Sequence, residues 1–177
     1  HGQATDPFWS VVSNGAKDAA KELGVNLHYQ SPQNFDMITM SQMIDAVVAT
    51  KPDGLIISVP DIPALRKSVF SASKNNIPII VINAGVDIMK EADILTYVGQ
   101  SEYEAGLKAA DEMLKYNVKS VLCINHEIGN ISLDQREKGF RKILKENNVV
   151  IKTVPIDASD PSETQEVVRA FISSNKK

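Results

Sequence analysis

The sequence has few features of a nucleic-acid-binding or membrane protein. Its net charge is -3, and its lysines and glutamates are intermixed, which disfavours a surface for nucleic acid or anionic lipid. No apolar run approaches the roughly 20 residues that cross a bilayer. The single cysteine, Cys123, excludes an intrachain disulfide, and its place in an apolar run predicts a buried, unreactive thiol.

The sequence also lacks the short motifs of enzymes with a doubly wound sheet. It has no GxSxG elbow, no GxGxxG fingerprint and no phosphate-binding loop. Its three histidines, His1, His28 and His126, do not have the spacing of metal ligands. We therefore expect a protein that is not an enzyme and that needs no metal or cofactor.

The 177 residues instead alternate short β-branched runs with longer helical patterns. This alternation predicts crossover units and an α/β fold with mainly parallel sheets. The runs at 55–59, 79–83 and 121–125 are almost entirely apolar, so we expect them to be central strands covered on both faces. The predicted helices are 8–23, 37–51, 63–75, 102–116, 133–147 and 162–173, and the predicted strands are 26–29, 54–59, 79–83, 94–98, 119–125 and 150–154.

One irregularity divides the chain near residues 99–102. The segment 84–93 is too short and too broken for a packed crossover helix, and a new strand–helix rhythm follows it. We therefore expect two lobes, 1–101 and 102–177. The first lobe lacks an opening strand and the second is incomplete, so exposed strand edges should make this stretch of chain self-associate or stay bound to the rest of its parent chain.

Five segments together carry a resemblance to a known family. They are HGQATDPFW, KPDGLIISVPD, NIPIIVINAG, YVGQSEYEAG and GNISLDQREKGF. In this order they resemble the type I periplasmic sugar-binding proteins, the ribose-binding group of solute receptors for ABC transporters. The resemblance implies two Rossmann-like lobes with parallel sheets that close on a sugar, a membrane permease as partner, and a periplasmic or extracellular location with a membrane tether left open.

Sugar binding requires polar side chains in fixed orientations together with an aromatic surface, because hydroxyls surround an apolar ring face. In the first lobe, Phe8 or Trp9 would stack on the ring while the other packs in the core. Asp6 either contacts the ligand or caps the following helix. Asn83 lies where the resemblance places a sugar contact, although it could instead be a turn residue. Two further polar candidates are Gln3 and Gln100, and Gln100 could instead hold the hinge.

In the second lobe the candidate contacts lie near residue 136. Arg136 precedes Gly139 and Phe140 with the family's spacing, and a guanidinium can hold two adjacent hydroxyls. Its alternative role is a surface arginine in a charged helix. We expect Arg136→Ala to weaken sugar binding with little change in thermal stability. The loop residues His126, Glu127 and Asn130 would contact the sugar or the other lobe, and a glycosylation sequon that begins at Asn130 should be unused.

Two other functions share this architecture. One is the effector-binding core of a sugar-responsive transcription regulator, and the other is a ligand-sensing ectodomain. The opening HGQATDPFW resembles the transport receptors more closely. The sequence therefore predicts a receptor that binds a monosaccharide or polyol in a cleft between its lobes, delivers it to an ABC permease, and does not bind nucleic acid.

Overall fold

The computed structural model describes residues 6–156 and 160–174. The chain divides into two compact units, His1–Tyr97 and Val98–Lys177. Strands alternate with helices in the described part of each unit, and each unit contains a parallel strand pair. The prediction of an α/β fold with parallel sheets is confirmed.

Each α-helix of the first unit begins after an aspartate that caps it. The carboxylate of Asp6 accepts the N–H of Phe8 at 2.8 Å, and that of Asp61 accepts the N–H of Ala64 at 2.9 Å. Asp36 caps its helix in the same way. These bonds satisfy backbone donors that the first helical turn leaves without partners. The helices are α1 (Pro7–Leu23), α2 (Met37–Ala49) and α3 (Ile62–Lys74), the strands are β1 (Leu55–Ile57), β2 (Ile79–Ile82) and β3 (Thr96–Val98), and a 3₁₀ helix spans Val86–Lys90.

The sheet of the first unit has the order β1-β2-β3 in the described chain. β1 and β2 are parallel, with Leu55 opposite Ile79 and Ile57 opposite Val81. Burial of apolar side chains against this sheet provides the main favourable contribution to folding. The core consists mainly of Met40, Ile44, Val48, Ile57, Val59, Leu65, Val69, Ile79, Val81 and Ile88.

The strand predicted at 26–29 is wrong, because these residues have no strand structure. A strand requires hydrogen bonds to a neighbouring strand, and composition alone does not provide that neighbour. The segment is tied locally to α1 instead, through the Tyr29 hydroxyl, which donates to the Trp9 carbonyl oxygen at 3.3 Å.

The expectation of central strands is confirmed for β2 and wrong for β1 in the described structure. β1 has β2 on one side only, and its Ile56 side chain is 57% exposed. The exposed Ile56 side chain also shows that one face of β1 is not covered, so neither the faces nor the edges of β1 match what its apolar run predicts. The sequence pattern therefore could not fix the position of β1 in the sheet.

The second unit has a smaller core around a parallel strand pair. β4 pairs with β5 from Ser120 opposite Val150 to Asn125 opposite Pro155, so β4 is also not central within the described residues. Cys123 on β4 is half-buried rather than buried, as expected where the sheet has only two described strands. The elements are α4 (Glu102–Leu114), β4 (Ser120–Asn125), α5 (Ile131–Glu146), β5 (Val150–Pro155) and α6 (Pro161–Ser174), and the buried core residues are Ala110, Val121, Leu144 and Val149.

Candidate ligand-binding site

Asn83 directly follows β2, at the carboxyl end of the strand. Its backbone is left-handed, with φ of 61°, and its carbonyl oxygen accepts a hydrogen bond from Tyr97. Gly85, with φ of 97°, packs so closely on Val59 that an added Cβ would lie 2.5 Å from the Val59 carbonyl oxygen. The turn is therefore fixed, while no described residue hydrogen-bonds the half-buried side-chain amide of Asn83.

Asp61 is a second polar residue at this edge of the sheet, and it was not among the residues predicted from the sequence. It lies four residues after the end of β1, whereas Asn83 directly follows β2. The Val59 N–H donates to the Ala84 carbonyl oxygen at 2.9 Å, which keeps the two segments after the strands together. The carboxyl ends of adjacent parallel strands are where an open α/β sheet binds ligands. The signal that could have found Asp61 is its place at the start of the helix that follows an apolar strand.

The first helix separates the roles of its two aromatic residues. Trp9 is 6% exposed and lies in the core, whereas Phe8 is 52% exposed. Their rings meet edge to face, with centroids 5.1 Å apart and planes at 89°. Asp6 caps α1 and Pro7 is its first residue, so the carboxylate of Asp6 already accepts one hydrogen bond. Gln3 lies outside the described residues.

Two glycines let α4 and α5 approach each other until their backbones touch. A Cβ at Gly106 would overlap the carbonyl oxygen of Arg136, and one at Gly139 would overlap that of Tyr103. Residues four apart on a helix share a face, so Gly106 brings Glu102 to the same contact. The close approach therefore places Glu102 of α4 beside Arg136 of α5.

Glu102 and Arg136 form an ion pair at this contact. Both Nε and Nη2 of Arg136 lie 2.6 Å from Oε2 of Glu102. The other carboxylate oxygen, Oε1, accepts a hydrogen bond from Nε2 of Gln100 at 3.0 Å. The Glu102 side chain is 8% exposed and that of Arg136 is 46% exposed, so the carboxylate is buried while the arginine side chain is half-exposed. Arg136 and Gln100 were predicted from the sequence as ligand contacts, whereas Glu102, which joins them, was not.

The loop between β4 and α5 is held by its own side chains. The Glu127 N–H donates to Oδ1 of Asn125 at 3.0 Å. Asn130 is 2% exposed, donates to Oε2 of Glu127 at 2.7 Å and caps α5 by accepting the N–H of Ser132 at 2.9 Å. This cap starts the helix at Ile131, two residues before the predicted start. Asn130 is therefore a buried structural residue, Glu127 is partly buried and His126 is exposed.

The opposite face of α5 carries a charged groove of about 440 Å³. At about 100° per residue, the positions that line it are centred away from Arg136. One helix supplies all its lining, so it resembles a solvated helix face more than an enclosed ligand site. Its lining residues are Asp134, Glu137, Lys138, Arg141, Lys142 and Lys145.

Beside this groove, Glu137, Arg141 and Thr153 form a network that ties α5 to β5. Oε1 of Glu137 accepts from Thr153 at 2.6 Å and from Arg141, and Arg141 also donates to Thr153. Burial opposes ionisation of Glu137, but these hydrogen bonds and the charge of Arg141 outweigh it, so the pKa of Glu137 is lowered. The network stabilises the second unit.

The described residues contain no group of histidine, cysteine, aspartate and glutamate side chains that could hold a metal ion. None of the described helices is both long enough and apolar enough to cross a membrane. In each unit a candidate polar residue follows a parallel strand along the chain: Asn83 directly follows β2, and Arg136 lies on α5, the helix after β4.

Parallel α/β units with such polar groups define a class of small-molecule-binding proteins built on Rossmann-like sheets. The chain belongs to the periplasmic binding protein domain family, whose model matches residues 2–177. This confirms the resemblance to the type I periplasmic sugar-binding proteins.

Three known proteins show what the chain is similar to. It is 28% identical over 149 residues to the ABC transporter periplasmic-binding protein YphF of Escherichia coli K12, which covers 80% of the chain and 45% of that protein. An ABC sugar transporter (periplasmic sugar binding protein) from Legionella pneumophila superposes with a TM-score of 0.91 at 28% identity, over 98% of this chain and 64% of that one. A carbohydrate transporter from Acidothermus cellulolyticus 11B, in complex with myo-inositol, superposes with a TM-score of 0.91 at 29% identity. The match covers 99% of this chain and 59% of that one.

The chain thus spans less than two thirds of the length of each of these proteins. By name they are transport or binding proteins, and none of the three is described as an enzyme. This agrees with the expectation that the chain is not an enzyme.

Proposed function

We propose that this chain is part of a solute receptor that binds a monosaccharide or polyol and delivers it to the membrane permease of an ABC transporter. Polar side chains from both units would contact the ligand, with Asn83 and Phe8 in the first unit and Arg136 in the second. The lobes that bind the sugar would be residues 1–101 and 102–177. Family membership implies a periplasmic or extracellular location.

The observation that supports this proposal most directly is the geometry of Arg136. The half-exposed side chain of Arg136 lies on the second turn of α5, the helix that follows β4, and its guanidinium is held by a buried carboxylate. A fixed guanidinium fork can bind two adjacent hydroxyls, which is the recurring chemical feature of a sugar. Phe8, which is exposed beside the buried Trp9, provides an apolar surface suited to a sugar ring.

The test is calorimetry on the full-length gene product with a panel of pentoses, hexoses, polyols and inositols. If a sugar binds, Arg136→Ala should weaken its binding by about 1.5–3 kcal/mol, the usual contribution of a hydrogen bond to a charged group. Arg169→Ala is the matched control, because Arg169 is exposed on α6. Failure of the wild-type protein to bind any sugar of the panel would contradict the proposed function.

The ion pair changes one expectation from the sequence, that Arg136→Ala would leave thermal stability almost unchanged. Removing the arginine leaves the buried Glu102 carboxylate without its cation, so stability should fall as well. Arg136→Lys is therefore the better variant for isolating binding. It keeps a positive charge near Glu102 but loses the guanidinium fork.

The strand edge of β1 supports a second proposal, that this stretch of chain self-associates when it is separated from its parent. Leu55 and Val59 donate their N–H groups toward the β2 side, so by alternation Ile56 presents its backbone groups at the other edge. Unpaired edges recruit further strands. Light scattering on residues 1–177 should show oligomers that Ile56→Lys reduces, and a stable monomer with micromolar sugar affinity would contradict the proposal.

A further inference from the structure

Both carboxylate oxygens of Glu102 contact side chains that the sequence predicted to be ligand contacts. Oε2 accepts from Nε and Nη2 of Arg136, and Oε1 accepts from Gln100. Glu102 is also the first residue of α4, where the helix dipole favours a negative charge. A buried carboxylate with hydrogen bonds to both oxygens is fixed in place, and it fixes its partners in turn.

The pair leaves part of the guanidinium available. An arginine has five N–H donors, and Glu102 engages one on Nε and one on Nη2, so three remain, two of them on Nη1. No residue in 6–156 or 160–174 accepts a hydrogen bond from these three. The three N–H groups belong to the planar guanidinium of Arg136, which Glu102 holds through Nε and Nη2. Their directions are therefore set before a ligand arrives.

The same pair also sets the local charge. One carboxylate and one guanidinium in contact sum to a charge near zero, although Arg136 alone would attract anions. An anionic ligand that bound to the remaining N–H groups would lie close to the Glu102 carboxylate and would be repelled by it. An uncharged hydroxyl pair meets no such penalty and still gains charge-assisted hydrogen bonds.

We propose that Glu102 is the positioning residue for Arg136 and makes the site select uncharged sugars or polyols over sugar acids. This inference rests on the proposed function, since it assumes that Arg136 contacts the ligand. It goes further by assigning a role to a residue that does not itself reach the ligand and by fixing the charge class of that ligand.

The experiment compares matched neutral and anionic ligands on the full-length gene product. The pairs are D-glucose with D-glucuronate and D-galactose with D-galacturonate, measured by calorimetry. Glu102→Gln removes the negative charge and keeps the size of the side chain. Glu102→Asp keeps the charge but shortens the side chain by one methylene, and Glu104→Gln is the control. Glu104 is two residues further along α4 and exposed, so the control removes the same charge from the same helix turn.

For the neutral member of each pair we expect the wild-type protein to bind more tightly. Glu102→Gln should shift the ratio of neutral to anionic affinity toward the acid by about tenfold, which corresponds to about 1.4 kcal/mol. Glu102→Asp should weaken the neutral sugar while keeping the preference for it, and Glu104→Gln should change neither affinity. If Glu102→Gln does not fold, Glu102→Asp carries the test, and an unchanged affinity for the neutral sugar in that variant overturns the positioning role.

A readout without sugar tests the positioning directly. The ¹⁵N–¹H signal of Arg136 Nε, assigned by its loss in Arg136→Lys, should exchange slowly with water in wild-type protein and quickly in Glu102→Ala. Rapid exchange in the wild-type protein would overturn the positioning role. The proposed selectivity would be overturned, with sugar binding intact, if the wild-type protein preferred the acids or if Glu102→Gln left the ratio of neutral to anionic affinity unchanged. If the wild-type protein bound no sugar, the proposed function and the selectivity would both be refuted.

Discussion

The Tyr97 hydroxyl donates a hydrogen bond to the carbonyl oxygen of Asn83, with 2.6 Å between the two oxygens. Asn83 adopts a left-handed backbone that asparagine tolerates better than most residues, but at some cost in free energy. Tyr97 on β3 therefore stabilises the turn after β2 that presents the Asn83 side chain. Tyr97 thereby helps to position Asn83, which is a candidate ligand contact.

Tyr97→Phe should lower the free energy of unfolding by about 1 kcal/mol, because the Asn83 carbonyl oxygen loses this partner. It should also weaken sugar binding, since the turn that orients Asn83 is released. Urea unfolding followed by circular dichroism measures the first effect and calorimetry the second. Tyr116→Phe is the control, because Tyr116 is 78% exposed. Equal unfolding midpoints for the Tyr97 variant and the wild type would show that the hydrogen bond does not stabilise the turn.

Substitution of the two aromatic residues of α1 should have separate effects. Trp9→Ala should reduce stability by about 3–5 kcal/mol, since it empties a buried position. Phe8→Ala should cost far less stability, about 0.5–1.5 kcal/mol from the lost edge-to-face contact with Trp9, and should weaken sugar binding by about 1 kcal/mol, because the exposed part of the ring can stack on a sugar. Thermal unfolding and calorimetry on both variants check this. If Phe8→Ala binds like wild type, the ring is not a ligand platform.

The features that could be predicted from the sequence are the local ones. The helices and the α/β alternation followed from periodicity within each segment, and a cap by Asp6 was one of the two roles predicted for that residue. Strand pairing is non-local, which is why the strand predicted at 26–29 was wrong and why β1 was taken for a central strand. The apolarity of a segment gives no information about which strands lie beside it.

The candidate site shows the same division between local and non-local information. Arg136 could be nominated from its spacing to Gly139 and Phe140, but its partner Glu102 is 34 residues away in sequence. The two meet because Gly106 and Gly139 let the helices touch, and no local pattern reports that contact. The part of the site that depends on helix packing therefore required the structure.

Adding one methyl group at this helix contact should be costly. Gly106→Ala should lower the free energy of unfolding by about 1–3 kcal/mol, because the new Cβ would overlap the Arg136 carbonyl oxygen and force the helices apart. Gly15→Ala is a sharp control, since nothing lies within 4 Å of the added Cβ there. It should stabilise α1 by about 0.5–1 kcal/mol, because alanine is the better helix former.

Chemical denaturation of both glycine variants measures this difference. The two substitutions should move the unfolding midpoint in opposite directions. A Gly106→Ala protein as stable as the wild type would show that α4 and α5 separate without cost, and the close contact would then not be what holds Glu102 against Arg136.

Cys123 should make stability depend on pH in the alkaline range. Burial raises the pKa of its thiol and the negative charge of Glu137 raises it further, against the opposing effects of Arg141 and the hydrogen bond of Thr153. The folded state therefore holds the thiol proton more tightly than the unfolded state. The resulting stabilisation is complete below the unfolded pKa of about 8.5 and is lost as pH rises through the higher folded value.

Comparison of urea unfolding midpoints from pH 7 to pH 10.5 for wild type and Cys123→Ala isolates this group, because other titrating residues are common to both proteins. The wild type should lose stability relative to the variant as pH rises above about 8.5. Thiol labelling in the native protein should be slow at pH 7 and should accelerate only in the same alkaline range, since the thiolate is the reactive form. A stability difference that stays constant over this range, together with rapid labelling at pH 7, would mean that the thiol is not protected by burial in the second unit.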